Sequence, residues 1–299
     1  MSLILPEGFP AIQRLRAEGI QVECVADAAF RQPRPVRIAV LNLMPIKEDT
    51  ETDIVRVFSD TPYTVDLQWM KVESHVSKHA SPEHMAAFYR PFSAMADEHF
   101  DGFIVTGAPL EQMEFEQVTY WDELRRIFDW AHSHVATTLY ICWAAQAGLY
   151  HFHGIRKYAV GAKIFGIFPH RMLHPECPIF RNVDEVFMVP HSRHTTLRRE
   201  DILACPELTL LSESDVPGVH LVMAGDGREF FVTGHSEYAV GTLDAEYRRD
   251  VSKGLPISLP EHYYRNDNPD EGPLLSWRSH GQRIYANWLK HYVVARNQF

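Results

Sequence analysis

Cys142 stands where an apolar run, Thr138-Leu139-Tyr140-Ile141, gives way to the small residues Ala144, Ala145, Ala147 and Gly148. A strand turning sharply into a helix at that point forms a nucleophile elbow. The apex side chain is lifted clear of the sheet, and the first helical N–H groups face it with the positive dipole end, which favours a thiolate. The other reading is a buried structural thiol, since free Cys is among the most buried residue types. His235 and Glu237 follow a second apolar run, Phe230-Phe231-Val232. Two residues of separation along an extended segment put both on one side, giving a general base with a carboxylate to orient it. Cys142, His235 and Glu237 together supply the parts of a nucleophilic triad.

The elements that position these groups follow from the apolar pattern. Val36 to Leu43 reads as the first strong strand, a helix capped by Asp49 or Thr50 follows, and Thr64 to Trp69 is a second strand. Residues 74 to 98 read as polar loop or helix, 100 to 106 as a strand, and Trp121 to His134 as a helix with Leu124, Ile127, Phe128 and Ala131 on one side. This alternation predicts an α/β fold with a doubly wound, mostly parallel sheet. Ligands bind such sheets beyond the carboxyl ends of the strands, where Leu43-Met44-Pro45, Thr106-Gly107-Ala108-Pro109, Cys142 and His235 all fall. Residues 1–34, ending at Pro33-Arg34-Pro35, read as an N-terminal extension, and 35–299 as a single domain. Short strands near 159–165, 185–189, 208–211 and 219–223 suggest a small antiparallel insertion. Residues 243 to 253 read as a helix, 254 to 275 as a Pro-rich loop, and Trp277 to Arg296 as a closing helix.

The 299 residues are 45% hydrophobic with a formal charge of −10, an ordinary globular composition that argues against nucleic-acid contact and against an anionic membrane surface. The start, Met1 to Glu7, lacks the basic and apolar blocks of a signal peptide, so a cytoplasmic location is expected. Cys24, Cys142, Cys177 and Cys205 are scattered without a C-x-x-C pair, which indicates neither a disulfide framework nor a Cys zinc site. The i, i+4 pairs His75/His79 and His170/His174 lack the H-E-x-x-H form of a zinc hydrolase. No metal and no bound organic cofactor is expected.

The chain resembles the homoserine O-acyltransferases of methionine biosynthesis, a group with a fold like the class I glutamine amidotransferases, themselves flavodoxin-like. The resemblance spans nearly the whole chain. It is carried by Leu41-Asn42-Leu43-Met44-Pro45-Ile46-Lys47, Thr106-Gly107-Ala108-Pro109, Cys142-Trp143-Ala144-Ala145-Gln146 and His235-Ser236-Glu237. It implies Cys142 as acyl-accepting nucleophile, His235 as base, Glu237 as its orienting carboxylate, and Lys163, Ser192 and Arg249 as homoserine contacts. From residue type alone these last three also read as an exposed strand residue, a turn former and a solvated helix charge. The resemblance makes the position of Glu111 the one that separates succinyl from acetyl donors. A Glu fills the space of the succinyl tail and opposes its carboxylate, so acetyl-CoA is implied, with L-homoserine as acceptor and a homodimer as the assembly.

The chemistry expected is ping-pong acyl transfer through a Cys142 acyl-enzyme, with the Trp143 N–H and an N–H near Leu43 or Met44 as oxyanion donors. The role of Lys47 is open from sequence. The elbow departs from the Gly-x-Cys-x-Gly-x-Gln of glutamine amidotransferases, since Tyr140 and Ala144 replace the glycines. A succinyl donor, a glutaminase and a non-catalytic binding protein are the competing readings.

Overall fold

In the stretch Ile38-Ala39-Val40-Leu41 all four side chains are buried, as in a strand covered by helices on both faces. Ile38 and Val40 enter one core with Ile54 and Val55 of the helix Lys47–Val57 and with Ile284, Tyr285 and Trp288 of the C-terminal helix Arg278–Trp288. Ala39 and Leu41 enter the opposite core with Leu124, Ile127 and Phe128 of the helix Trp121–His134 and with Ala144, Ala145 and Leu149 of the helix Trp143–His153. The computed structural model describes residues 3–20, 23–24, 34–59, 61–75 and 80–298. Pro33, His79 and the Cys24 side chain, singled out above, lie outside the described residues.

The strands are β1 (Leu3–Leu5), β2 (Glu23–Cys24), β3 (Val36–Leu41), β4 (Val65–Lys71), β5 (Tyr89–Pro91), β6 (Gly102–Val105), β7 (Thr138–Ile141) and β8 (Tyr158–Met172). β9 (Val186–Thr196), β10 (Leu208–Ser214), β11 (Gly218–Ala224) and β12 (Glu229–Val232) complete one sheet, in the order β2-β1-β4-β3-β6-β7-β12-β11-β10-β8-β9, with β5 beside β4. From β2 to β12 every pairing is parallel. The run β4-β3-β6-β7-β12 has the strand order of flavodoxin-like sheets, whose switch point falls between β3 and β6. The carboxyl ends of β3, β6, β7 and β12 carry Asn42, Thr106, Cys142 and Thr233. All four lead into the segments that the sequence points to.

The first residues are built into this sheet. β1 pairs in parallel with β4, and Leu5, Phe9, Ile12 and Leu15 join the core that covers Ile38. The antiparallel part is larger than the short runs suggest. β8 and β9 pair over a long ribbon, with a register break between Ala159 and Ile164 that interrupts the alternation. β8 to β11 extend the same sheet rather than forming a separate layer. Gly166 (φ 145°) lets the 254–275 loop approach, because a Cβ there would lie 2.4 Å from the Glu261 backbone. Glu261 N donates to Phe165 O, and Ile167 N donates to Glu261 O. A third core of Phe165, Ile167, Leu243, Tyr263, Tyr264 and Trp277 seats the helix Thr242–Ser252 against β8.

Candidate active site

Cys142 has φ 53° and ψ −111°, a conformation rare for a residue with a side chain, between β7 and the helix Trp143–His153. Such strain costs on the order of 1–3 kcal/mol and persists only where surrounding structure enforces it. Here the enforcement comes from both sides. Cys142 N donates to Val232 O at 2.6 Å, and the buried Trp143, Ala144 and Ala145 fill the turn behind it. The elbow places Cys142 next to the chain leaving β12.

That chain differs from the sequence expectation in one respect. β12 ends at Val232, and His235 and Glu237 sit in a turn, so strand alternation is not what pairs them. Gly234 is the cause: its backbone packs on β9, where a Cβ would lie 2.4 Å from Val189 Cγ1, and this draws the chain off the strand path. His235 N then donates to Pro190 O at 2.9 Å. The pairing itself holds, with His235 Nδ1 and Glu237 Oε1 2.6 Å apart. Tyr285 Oη, from the C-terminal helix, donates to Glu237 Oε2 at 3.5 Å, and the Tyr238 ring stacks on His235 with centroids 4.1 Å apart. Burial works against an imidazolium here, but the Cys142 sulfur and Glu237 outweigh it and hold the His235 proton well above the usual range. With Nδ1 committed to Glu237, Nε2 is the nitrogen left to serve the sulfur.

Gly107, which its place in the sequence alone does not mark out, faces both Cys142 and His235. A Cβ on it would lie 3.3 Å from Cys142 Cβ and 3.7 Å from His235 Cε1. The signal for it is a Gly at the carboxyl end of a buried strand. Of the expected oxyanion donors, Trp143 N opens the elbow helix, where the first N–H groups have no intrahelical acceptor. The Leu43 amide is committed elsewhere: Leu43 N donates to Thr106 Oγ1 at 2.8 Å and Met44 N to Asn42 Oδ1 at 3.1 Å. The side-chain acceptors at the ends of β3 and β6 take up both amides. Lys47 is buried, with Nζ donating to Asn42 O at 2.5 Å. Burial lowers its proton affinity to about 8, against the opposing pull of Glu51.

Lys163, Ser192 and Arg249, far apart in sequence, meet around one carboxylate. Glu246 Oε1 accepts from Lys163 Nζ at 2.8 Å and from Arg249 Nη2 at 3.4 Å, and Glu246 Oε2 accepts from Ser192 Oγ at 2.9 Å. Arg249 Nε also donates to Asp250 Oδ1 at 2.7 Å, while Arg248 is drawn to Asp244. β8, β9 and the helix Thr242–Ser252 thus each contribute a group to one polar cluster. Glu111 is partly exposed, and Lys157 Nζ holds its carbonyl oxygen at 2.7 Å. Of the i, i+4 histidines, His170 is buried and bonded to Phe168 O and His191, whereas His174 pairs with exposed Glu176. Another donor group, His153, Cys205 and Glu207, lies at the far end of the elbow helix from Cys142.

A family model described as homoserine O-succinyltransferase matches residues 2–299. The chain belongs to this homoserine acyltransferase family. Among its curated relatives, a homoserine O-acetyltransferase of Bacteroides fragilis is 59% identical, covering 100% of this chain and 98% of the relative. Homoserine O-acetyltransferases of Brevibacillus brevis and Acetivibrio thermocellus are 49% and 46% identical, again over 100% of this chain and 98% of each relative. Among solved structures, a glutamine amidotransferase of Thermotoga maritima aligns with TM-score 0.59 at 12% identity, covering 87% of this chain and 99% of that one. A glutamine amidotransferase of Methylobacillus flagellatus aligns with TM-score 0.54 at 11% identity, covering 86% of this chain and 94% of that one. The fold is that of the class I glutamine amidotransferases.

Proposed function

We infer that this acyltransferase is a homoserine O-acetyltransferase, moving the acetyl group of acetyl-CoA to the γ-hydroxyl of L-homoserine to give O-acetyl-L-homoserine and CoA for methionine biosynthesis. The observation that carries the reading is 59% identity, end to end, with a homoserine O-acetyltransferase, in a chain whose Cys142, His235 and Glu237 are assembled at the sheet's carboxyl edge.

The steps follow from the proton inventory. Cys142 as thiolate attacks the thioester carbonyl, forming the C–S bond of an acetyl-enzyme. The oxyanion is met by the Trp143 N–H, and Gly107 leaves the space above the sulfur clear. The intermediate collapses with loss of the CoA sulfur, which takes the proton that His235 holds. Now neutral, His235 accepts the γ-hydroxyl proton of homoserine as that oxygen attacks the acetyl-enzyme, and the Cys142 thiolate leaves. Protons and charge are restored after both halves. A base that begins protonated suits a first half-reaction whose leaving group needs a proton.

Lys163, Ser192 and Arg249 are proposed to hold homoserine, with the cations taking its carboxylate and the cluster around Glu246 opening to admit it. Glu111 is proposed to select acetyl-CoA over succinyl-CoA through like-charge repulsion. We place the enzyme in the cytoplasm. Among the described residues, no helix is long and apolar enough to cross a membrane. A homodimer is proposed as well, supported by the exposed apolar side chains Val251, Leu255 and Leu259.

CoA release from acetyl-CoA and from succinyl-CoA, each with and without L-homoserine and beside Cys142→Ala, tests the reading. Homoserine-dependent release from acetyl-CoA, lost in the variant, is expected. Preference for succinyl-CoA would overturn the donor assignment, and silence with both donors would overturn the reaction.

A further inference from the structure

Arg193 is 1% exposed, in the middle of β9. Its guanidinium donates to His191 Nδ1 at 3.3 Å, to Pro217 O at 2.6 Å and to Thr195 O. These acceptors orient the charge but carry none to offset it, and no described carboxylate lies within ion-pair distance. A buried cation is costly without an opposing charge.

The contacts of Arg193 lead to both halves of the reacting pair. Thr195 O, which accepts from Arg193, also accepts from Gln146 Nε2 at 3.5 Å, and Thr195 Oγ1 donates to Gln146 Oε1 at 2.8 Å. Gln146 lies one helical turn beyond Cys142, whose carbonyl accepts its N–H at 3.2 Å. On the other side, His191 packs against Gly234, the residue before His235, and the adjoining Pro190 O holds His235 N. The protons of the intervening imidazoles are fixed in sequence. Arg193 donates to His191 Nδ1, so His191 carries its proton on Nε2 and donates it to His170 Nε2. His170 carries its own on Nδ1 and donates it to Phe168 O. His191, His170 and the adjacent His220 are held neutral by burial, so none of them shares the charge of Arg193. Burial draws the Arg193 proton affinity down to about 10, and Cys142 opposes that fall.

We propose that Arg193 is a positioning residue of the acyl-transfer site, its buried guanidinium serving as the permanent counter-cation of the Cys142 thiolate. The proposal rests on Cys142 being the nucleophile. The groups that feel the charge of its sulfur are then His235, Tyr238 and Arg193, while Glu237 reaches it only through the far nitrogen of His235. Of the two cations, His235 gives up its proton during the reaction, whereas Arg193 keeps its charge throughout. Arg193 is therefore the cation that persists through the acyl-enzyme interval, when His235 is neutral, until the homoserine proton recharges the imidazole and the sulfur departs.

The test is the pH dependence of iodoacetamide alkylation at Cys142, followed on the Cys142 peptide by mass spectrometry, in the wild type, Arg193→Gln and Arg193→Lys. Loss of the charge should raise the midpoint by about 1 pH unit or more in Arg193→Gln. In Arg193→Lys, where the ammonium is drawn back, a smaller rise is expected, and that variant carries the test if Arg193→Gln does not fold. An unchanged midpoint in a folded variant, even with kcat reduced, overturns the proposal and leaves Arg193 a packing residue. Acyl transfer retained by Cys142→Ala would instead overturn the underlying assignment of the nucleophile.

Discussion

Glu237 accepts the Nδ1 proton of His235 and is itself steadied by Tyr285, so the imidazole is offered to the sulfur through one nitrogen in one orientation. Glu237→Gln keeps the shape but presents an amide that can bind the other tautomer. kcat for homoserine-dependent CoA release is expected to fall by about 10²–10⁴-fold, with the fold intact by circular dichroism. The donor assignment is also a residue-scale matter. Glu111→Gly removes the carboxylate proposed to oppose the succinyl tail, so the ratio of kcat/KM for succinyl-CoA to that for acetyl-CoA should rise about tenfold or more, corresponding to ~1.4 kcal/mol. An unchanged ratio would remove Glu111 from donor selection. Gly107→Ala puts a Cβ 3.3 Å from Cys142 Cβ, closer than ordinary van der Waals contact, so the elbow must give by a few tenths of an ångström. Its cost should appear as slower acyl-enzyme formation with little change in Tm.

The β8–β9 ribbon with β11 buries His170, His191 and His220 as neutral groups. Burial lowers the His170 pKa from the ordinary 6.5 to about 3, and those of His191 and His220 also fall well below 6.5. The unfolded chain binds these protons and the native chain refuses them. The contribution of these three imidazoles to stability is therefore complete above about pH 6.5 and declines as the pH falls toward 3, by up to ~1.4 kcal/mol per pH unit for each imidazole. Urea unfolding between pH 7 and 5 should show this loss, and His220→Asn, which keeps a partner for Ser212, should lower the slope by about one proton. In the elbow helix Gly148 lies against Phe231, where a Cβ would come within 2.8 Å of a ring already stacked on Tyr140. Gly148→Ala should lose about 1 kcal/mol or more despite its better helix propensity.

At the scale of the whole molecule, the turn that carries His235 and Glu237 is held by the C-terminal helix Arg278–Trp288. Gly281 packs on the turn between His235 and Glu237, and a Cβ there would lie 2.7 Å from Ser236 O, a backbone atom that cannot step aside alone. Gly281→Ala is expected to lower both Tm and kcat, whereas Ser279→Ala, on the exposed side of the same helix, should change neither. A Gly281→Ala enzyme with full activity would mean that the turn keeps its shape without the helix. Through Trp288 and Val293 the same C-terminal segment reaches Gly102 of β6. The C-terminal segment thus braces the His235–Glu237 turn through Gly281 and the opposite, amino end of β6 through Trp288 and Val293.

Local patterns in the sequence sufficed for the parallel sheet, because buried strands and amphipathic helices differ in period. They sufficed for Cys142 as well, because an elbow needs an apolar strand before it and small residues after it. His235 and Glu237 were legible as types, but their pairing arises from a turn shaped by Gly234 against β9, a contact 45 residues distant in sequence that no local period encodes. The long β8–β9 ribbon stayed hidden because a register break and Gly166 interrupt its alternation. The meeting of Lys163, Ser192 and Arg249 at Glu246, the commitment of the Leu43 amide to Thr106, and the pairing of Glu246 with Arg249 rather than Arg248 were decided by tertiary structure. Hydrogen-bond partners depend on distances between segments, and those exist only once the sheet is assembled.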